Sequence, residues 1–539
     1  MTNILWITTH DISPHIGAYR DSYPGADAVR TPHLDQLAAE GIRFDQAFAA
    51  APVCSPSRSA IMTGRYPISI GTMHHRTRAV VPPEVQLLPQ LFREAGYYTT
   101  NNVFTDFQVN VPAPVYDECS PTAHWRNRPT RETPFFAAFH GMTTHESKLY
   151  LSEAEHLEAT PDVTHRHDPE DIEVPPYHPD TIEFRTAWAR YFDLIEQMDH
   201  EVGVLLQQLE DDGLAEDTIV VFWSDHGLGM PRGKRWLNDS GLREPLIVRW
   251  PGRIAPGSVN DDVVQLLDLA PTMLVACGLT VPASMDGEPL FDVEGAATDR
   301  ASRYAYGSRD RMDEQDDTSR TVRDARFRYI RHLHPDRSGM QHCEYPDRLS
   351  TWRSVRDLAF AEADQVAKGD VRDRLTDAQR MLVQVPRPVE ELYDLRADPH
   401  ELVNLASDAA HAAETARLST ALDTWMTACG DLGQRPESEL IAQWRPEGAM
   451  QTADTPRAWI ADGRLHVECA TDGAVLGWTA TPPEAARPRH PLQEKMGIDD
   501  DGRGWRLWTA PAEVPSGRLW VGAWRLGYRP SAEAVVEVA

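Results

Sequence analysis

No apolar run in this chain of 539 residues approaches the ~20 residues that a membrane-crossing helix needs, so no such span is expected. Cysteine is scarce as well. The six residues, Cys54, Cys119, Cys277, Cys343, Cys429 and Cys469, are widely scattered, with neither paired spacing nor a C-x-x-C. That pattern excludes a disulfide framework. A strand-like run begins at Asn3, which leaves no room for the basic and apolar regions of a signal peptide. A reduced, cytoplasmic protein is the expectation. Basic residues are in deficit too, 53 Lys and Arg against 82 Asp and Glu, for a formal net charge of -29. Such a field repels phosphate backbones and argues against nucleic acid as a partner. An anionic substrate would have to be drawn in by local Arg and Lys.

What is present suits a soluble enzyme. Hydrophobic residues make up 41% of the chain and charged residues 25%, and the length exceeds one ordinary domain. Three short apolar runs read as buried strands: Asn3 to Thr9, Pro134 to Phe139, and Thr218 to Ser224. They deliver, in turn, His10-Asp11, His145 a few residues on, and Asp225-His226-Gly227. In open α/β sheets the carboxyl edge is where ligands bind. Helical punctuation lies between the runs. Thr31-Pro32 opens a helix that Gly41 closes, Gln86 to Ala95 repeats the pattern, and Ile182 to Glu210 is a long amphipathic segment. The alternation predicts a large, mostly parallel sheet sandwiched by helices. Residues 145 to 180, with little hydrophobic periodicity, read as a long surface loop; His165, His167 and His178 within it lack metal-site spacing.

Cys54-Ser55-Pro56-Ser57-Arg58 resembles the C-x-P-x-R signature of the type I sulfatases. In that family, part of the alkaline phosphatase superfamily, the cysteine is oxidised after translation to formylglycine, an aldehyde whose hydrate attacks the sulfur of a sulfate ester. The resemblance covers roughly residues 1 to 410. Within it, Asp11-Ile12-Ser13-Pro14, Thr31-Pro32-His33-Leu34-Asp35, His124-Trp125-Arg126-Asn127-Arg128-Pro129 and Thr143-Thr144-His145-Glu146-Ser147 look like the bacterial branch related to heparan N-sulfatase. The resemblance implies Cys54 as nucleophile precursor, Arg58 as its partner in neutralising the ester, Lys234 at the sulfate and leaving oxygen, and His145 as general acid. It implies a divalent cation on His10, Asp11, Asp225 and His226, with modified Cys54 completing the set. Calcium suits mostly oxygen ligands, and imidazoles would also suit manganese. A formylglycine-generating enzyme is the implied maturation partner, and a small anionic ester the substrate.

One departure bears on function. Where sulfatases commonly carry Lys-x-His, this chain has Phe104-Thr105-Asp106. Asp106 can serve as a base, but Phe104 cannot neutralise charge; Phe104 and His74 are placed among the substrate-lining residues. The phosphonate monoester and phosphodiester hydrolases of the same superfamily also lack that pair. The expected function is therefore metal-dependent hydrolysis of sulfate esters, on a sulfated sugar or a small aryl or alkyl sulfate. Phosphonate or phosphodiester hydrolysis is the alternative, and a catalytically inactive binding protein a third.

Three units are expected: a catalytic α/β domain over 1–335, a small α+β subdomain over 336–445, and a β-sandwich-like accessory module over 446–539. The second holds Glu391-Leu392-Tyr393-Asp394-Leu395, which resembles a structural segment of the sulfatase C-terminal subdomain, a strand turning into a capped helix. The third alternates short apolar runs with Gly and Pro turns. Its tryptophans read as half-buried core aromatics rather than sugar platforms. A homo-oligomer is compatible with this composition.

Overall fold

In this computed structural model residues 2–300 and 304–539 are described. The first expected strand, β1 (Asn3–Thr9), is buried throughout. Its residues alternate between two cores, which is why it reads as one unbroken apolar run. Leu5 and Ile7 join Phe135, Ala137, Val220 and Phe222 on one side. Ile4 and Trp6 join Phe136, Ala138, Ile219 and Val221 on the other.

The central sheet also contains β2 (Ile42–Phe44), β3 (Tyr98–Asn102), β4 (Glu118–Cys119), β5 (Phe135–His140), β6 (Thr218–Ser224), β7 (Leu246–Arg249) and β8 (Ser258–Asn260). Their order is β8-β2-β7-β6-β1-β5-β3-β4. Only β7 runs against the rest. Helices cover both faces. The 30-residue helix Ile182–Asp211 lays Phe184, Trp188, Tyr191, Ile195 and Met198 on the Leu5 side. Cys54–Thr63, Leu88–Glu94 and Leu269–Ala276 pack Ile61, Met62, Phe92, Met273 and Leu274 on the Trp6 side. The α/β sandwich expected from the sequence is the fold found.

Local details differ. Thr31 does not cap its helix; its hydroxyl accepts from the Gly17 amide at 2.8 Å and donates to Asp35. Asp199, on the long helix, takes over by accepting the His33 and Leu34 amides. The second helix begins at Leu88, before Pro89, rather than at Gln86. Residues 145 to 180 are no plain loop: a Ser152–Glu155 capping box starts a helix over Glu153–Ala159, and His156 is buried against Asp193 at 3.1 Å. Of the three histidines there, His178 is buried between Trp188 and the Pro231 carbonyl, and His167 is held by Asp193.

Beyond the catalytic sheet, β9 (Ala305–Arg309), β10 (Ser319–Arg323), β11 (Phe327–His332) and β12 (Glu390–Asp394) form an antiparallel sheet in that order. Three of the four strands precede residue 336. Their charged residues disguised them: Arg320 is fully buried between Asp310 and Asp431, and Arg323 and Arg328 are buried against Asp239. The helix Ala412–Cys429 covers this sheet with Leu418, Leu422 and Trp425. No helix follows β12 directly. Asn404 instead ties the turn back, accepting from the Leu392 and Ala406 amides and donating to the Glu390 carbonyl.

The last strands make two facing sheets around Leu465, Val467, Trp478, Leu519, Val521 and Val536. Trp505 and Trp524 pack edge to face at 4.7 Å and are buried with Ala113 of the catalytic unit. Asp499 lies in this seam, its Oδ1 accepting from Asn110 Nδ2 at 3.2 Å. Burial pushes its carboxyl up to about 7, with Arg489 and Asn110 opposing. A carboxyl raised in the folded state binds a proton that the unfolded chain releases near pH 4, so stability falls from about pH 4 to about pH 7 and is flat above. Asp499→Asn should remove that loss, raising stability at pH 8 by up to roughly 4 kcal/mol while changing little at pH 4. Urea unfolding at the two pH values measures it; an equal effect at both would refute the assignment.

Candidate active site

The strand register sets the site. Thr9 of β1 pairs with Ser224 of β6, and Thr8 with His140 of β5, so three strands end level with one another. His10-Asp11 and Asp225-His226 therefore leave adjacent strand ends at the same height. The backbone then turns sharply: Asp11 has φ 53°, a left-handed conformation unusual for a side chain other than glycine's. Thr144 holds the turn, its Oγ1 lying 2.6 Å from Thr9 Oγ1 and accepting the His10 amide at 3.3 Å.

Cys54 is the first residue of a helix buried along its whole length, Cys54–Thr63. The free amides of a helix start favour negative charge there. Around Cys54 Sγ stand His226 Nε2 at 3.2 Å and Lys234 Nζ at 3.3 Å. Lys234 also lies 3.1 Å from Asp11 Oδ2 and 2.9 Å from Glu146 Oε1. Arg58, one helical turn beyond Cys54, is 1% exposed and over-determined. Its Nε donates to the Thr105 carbonyl at 2.8 Å, Nη2 to His140 Nδ1 at 2.9 Å, and Nη1 to Thr8 Oγ1 at 3.3 Å. The Phe104 ring lies 4.7 Å from the guanidinium carbon and edge-on to His10 at the same centroid distance.

Electrostatics converge on position 54. Burial pushes the Cys54 thiol up, but Lys234 and His226 outweigh it and hold it well below the ordinary thiol range. A point that stabilises a thiolate so strongly is a point that stabilises an anion. Burial alone would lower Lys234, but Asp11, Cys54 and Glu146 raise it well above the usual lysine value. Against the same burial penalty, Asp225, Cys54 and Asp11 lift His226 to about 9. Burial resists ionisation of Asp225, yet His226 and His10 keep it well below the usual carboxylate range.

The donor set fits a divalent cation. Side-chain donors of His10, Asp11, Cys54 and Asp225 lie within 4.8 Å of one another, all buried. Asp225 Oδ2 sits 3.0 Å from His10 Nδ1, but at an angle that gives neither atom a hydrogen bond. Lone pairs left unsatisfied in a dry interior call for a shared partner, and two carboxylates with an imidazole are suitable ligands.

A family model described as "Sulfatase" matches residues 2–111 and 115–279. The chain belongs to the sulfatase family. A second model, "N-sulphoglucosamine sulphohydrolase, C-terminal", matches residues 228–345. An ulvan-active sulfatase of Formosa agariphila is 34% identical over 98% of this chain and 90% of its own length. The human N-sulphoglucosamine sulphohydrolase is 28% identical over 78% and 89%. Among solved structures, a 2-O GAG sulfatase superposes with a TM-score of 0.56 at 18% identity, covering 80% of this chain and 93% of that one. The phosphonate monoester hydrolase of Agrobacterium radiobacter gives 0.56 at 17% over 80% and 96%. At such identities the last two speak for the fold alone. This sulfatase is a sulfuric ester hydrolase of the type I family, similar to heparan N-sulfatase.

Within this sulfatase, Cys54, Arg58, Lys234, His10, Asp11, Asp225 and His226 form one buried cluster. His145 borders it, half-buried, with its ring 5.7 Å from that of His10. Phe104 closes one side over Arg58. Asp106, also in left-handed backbone at φ 56°, keeps a buried Oδ2 without a hydrogen bond. His74 stands apart: it is buried, and the charges acting on it are those of Asp310, Glu437, Arg311 and Arg320 rather than of the cluster.

Several residues of the site escaped the sequence reading. Glu146 grips Arg235 through two oxygens at 3.0 and 3.1 Å, binds Lys234, and gives its amide to Asp11 Oδ2 at 2.6 Å. His140 aligns Arg58. Partial desolvation opposes the charge on Arg76, but Asp106 and Cys54 outweigh it and raise Arg76 above the usual arginine value. The signals were adjacency: Glu146 follows His145, Arg235 follows Lys234, and His140 ends a recognised strand. Glu146→Gln should leave Arg235 and Lys234 short of a buried counter-charge and cost about 3 kcal/mol in denaturant unfolding, with a loss of turnover. An unchanged unfolding midpoint would mean that the pair contributes nothing to stability.

Proposed function

We propose that this sulfatase removes sulfate from a sugar by means of a formylglycine made from Cys54 and a divalent cation held by Asp11, Asp225, His10 and His226. The observation that carries the reading is the enclosure of Cys54 Sγ by Lys234 and His226, beside the Asp225 carboxylate, whose Oδ2 is buried without a hydrogen bond. Formylglycine, as its hydrate, would supply two hydroxyls, one to attack sulfur and one to expel sulfate afterwards. The cation would acidify a hydroxyl and polarise a sulfuryl oxygen; oxygen-rich ligation favours calcium, and imidazoles would also suit manganese.

The chain's own residues would do the rest. Arg58, locked by Thr8, His140 and Thr105, presents a fixed charge to the anion. Lys234 shares itself between Asp11 and Glu146 and can turn an N–H toward a leaving oxygen. His145, with Nδ1 2.9 Å from Ser147 Oγ, is oriented to hand a proton to the departing alcohol or amine from its other nitrogen. Asp106 would take a proton in the release step, beside Arg58 and Arg76. The relatives named above act on ulvan and on N-sulphoglucosamine, which supports a sulfated sugar here.

The second reading, phosphonate monoester or phosphodiester hydrolysis, rests on Phe104. An aromatic face over Arg58 offers an alkoxy or alkyl group a resting place that a sulfate oxygen cannot use.

Mass measurement of the peptide spanning residue 54 in fully active enzyme should show the aldehyde; an unmodified thiol there would overturn the mechanism. Exhaustive chelation should abolish turnover and lower Tm, since a cation bound only by the folded state adds to its stability. If both stay unchanged, the ligand assignment is wrong. Phe104→Lys should raise the ratio of kcat/KM for an aryl sulfate over a phosphonate monoester by about tenfold, equivalent to about 1.4 kcal/mol. A flat ratio would show that Phe104 takes no part in substrate choice.

A further inference from the structure

Residues 103–110, which carry Phe104 and Asp106, belong to no helix or strand. Asp106 and Gln108 both hold left-handed backbone, at φ 56° and 65°. Such a segment cannot keep its shape from local preference, because each of these residues is strained where it stands. Its conformation has to be imposed from outside. On one side Gln108 is fastened to the catalytic unit, donating to the Thr72 carbonyl at 3.1 Å, while its own carbonyl accepts the Ala79 amide at 2.9 Å.

The other side is supplied by the C-terminal module. Between its strands Val475–Thr479 and Arg506–Trp508 the module sends out a long excursion containing a short helix, Pro491–Lys495. The end of that excursion lies against the wall. Thr105, fully buried, donates its hydroxyl to the Met496 carbonyl at 2.7 Å. The Val111 amide donates to the Gly497 carbonyl at 2.8 Å, and the Asp499 amide to the Val111 carbonyl at 2.9 Å, a short parallel bridge. Ile498, 2% exposed, is buried in the catalytic core with Phe107, Val109 and Val111. Gln493 Nε2 reaches the Cys119 carbonyl at 2.6 Å.

We propose that the C-terminal module is a positioning element of the active site: its 496–499 segment fixes Thr105, and through Thr105 the guanidinium of Arg58. The path is continuous and short. Met496 O accepts from Thr105 Oγ1, Thr105 O accepts from Arg58 Nε, and the Phe104 ring between them covers the guanidinium. An appended sugar-binding role fits less well, because Trp478, Trp505 and Trp524 are buried and Trp459, Trp508 and Trp520 are half-buried, so no tryptophan of the module stands fully exposed. The inference rests on the reading of Arg58 as the residue that grips the sulfuryl group, and the test separates the two.

The probe is competitive inhibition of the full-length enzyme by inorganic sulfate, read with kcat/KM on an aryl sulfate. Thr105→Val keeps the shape but deletes the hydroxyl; it should weaken sulfate inhibition and kcat/KM by about tenfold, the size of one lost hydrogen bond to a positioning group. Thr105→Ser should restore both to within about twofold. Ile498→Ala should act like Thr105→Val from the module side. Leu519→Ala, in the module's own core, serves as the control: it should destabilise without moving sulfate inhibition. If Thr105→Val and Ile498→Ala leave both readouts unchanged while Arg58→Lys weakens them, the positioning role is refuted. If Leu519→Ala weakens sulfate inhibition as much as Ile498→Ala, the effect is general loosening and the proposal also fails. Sulfate inhibition unchanged in Arg58→Lys would overturn the underlying reading of Arg58, and this inference with it.

Discussion

Asp11 is the constraint on which the site depends. It is a fully buried carboxylate in left-handed backbone, meeting Lys234, His226 and the Glu146 amide at once. A buried charge is tolerable only when it is paired and hydrogen-bonded, so each partner must stand where the others require it. Lys234 is placed by Glu146, and Glu146 by Arg235. Asp11 itself is placed by the level ends of β1 and β6. The register of one strand pair thus propagates into the geometry of four charged side chains. A slip of one residue would move Asp11 away from the strand end where the other three meet it.

The same principle joins the catalytic unit to the C-terminal sheet. Asp239 is buried against Arg323 and Arg328, and Glu401 reaches Arg328 at 3.2 Å while accepting the Asp239 amide at 3.0 Å. These charges offset one another across the seam, so the second sheet docks in one orientation only. The C-terminal module is held differently, by backbone hydrogen bonds and by apolar residues such as Ile498 that complete a core begun elsewhere. Both attachments end close to residues of the active face. The Phe104–Asp106 wall is the clearest case, since its backbone strain is held from two sides and its carbonyls are what Arg58 grips.

How much was legible follows from how local each signal is. The buried strands announced themselves as apolar runs, which gave the fold, and the Cys54–Arg58 motif resembles a family signature, through which most of the cluster could be placed. The strands over 305–332 could not. Their buried arginines imitate a surface, and only the distant Asp310, Asp431 and Asp239 make them interior. The sequence reading places His74 with the substrate-lining residues, yet the charges that act on it are those of Asp310, Glu437, Arg311 and Arg320, none of them in the cluster. Glu146 and His140 were in plain view but carried no spacing of their own; their importance appears only when Arg235 and Arg58 are seen to need them.

By itself the sequence determined which residues could do chemistry and at which strand ends they would emerge, because periodicity and motif spacing are properties of the chain. It also determined the family, through those motifs. Tertiary structure decided how the charges pair, since Asp11 and Lys234 are 223 residues apart and meet only in the folded protein. It decided that Phe104 covers Arg58 rather than facing solvent. It decided too that Met496, 391 residues beyond Thr105, contacts the same wall. Contacts of that range depend on packing and register, and no local pattern encodes them.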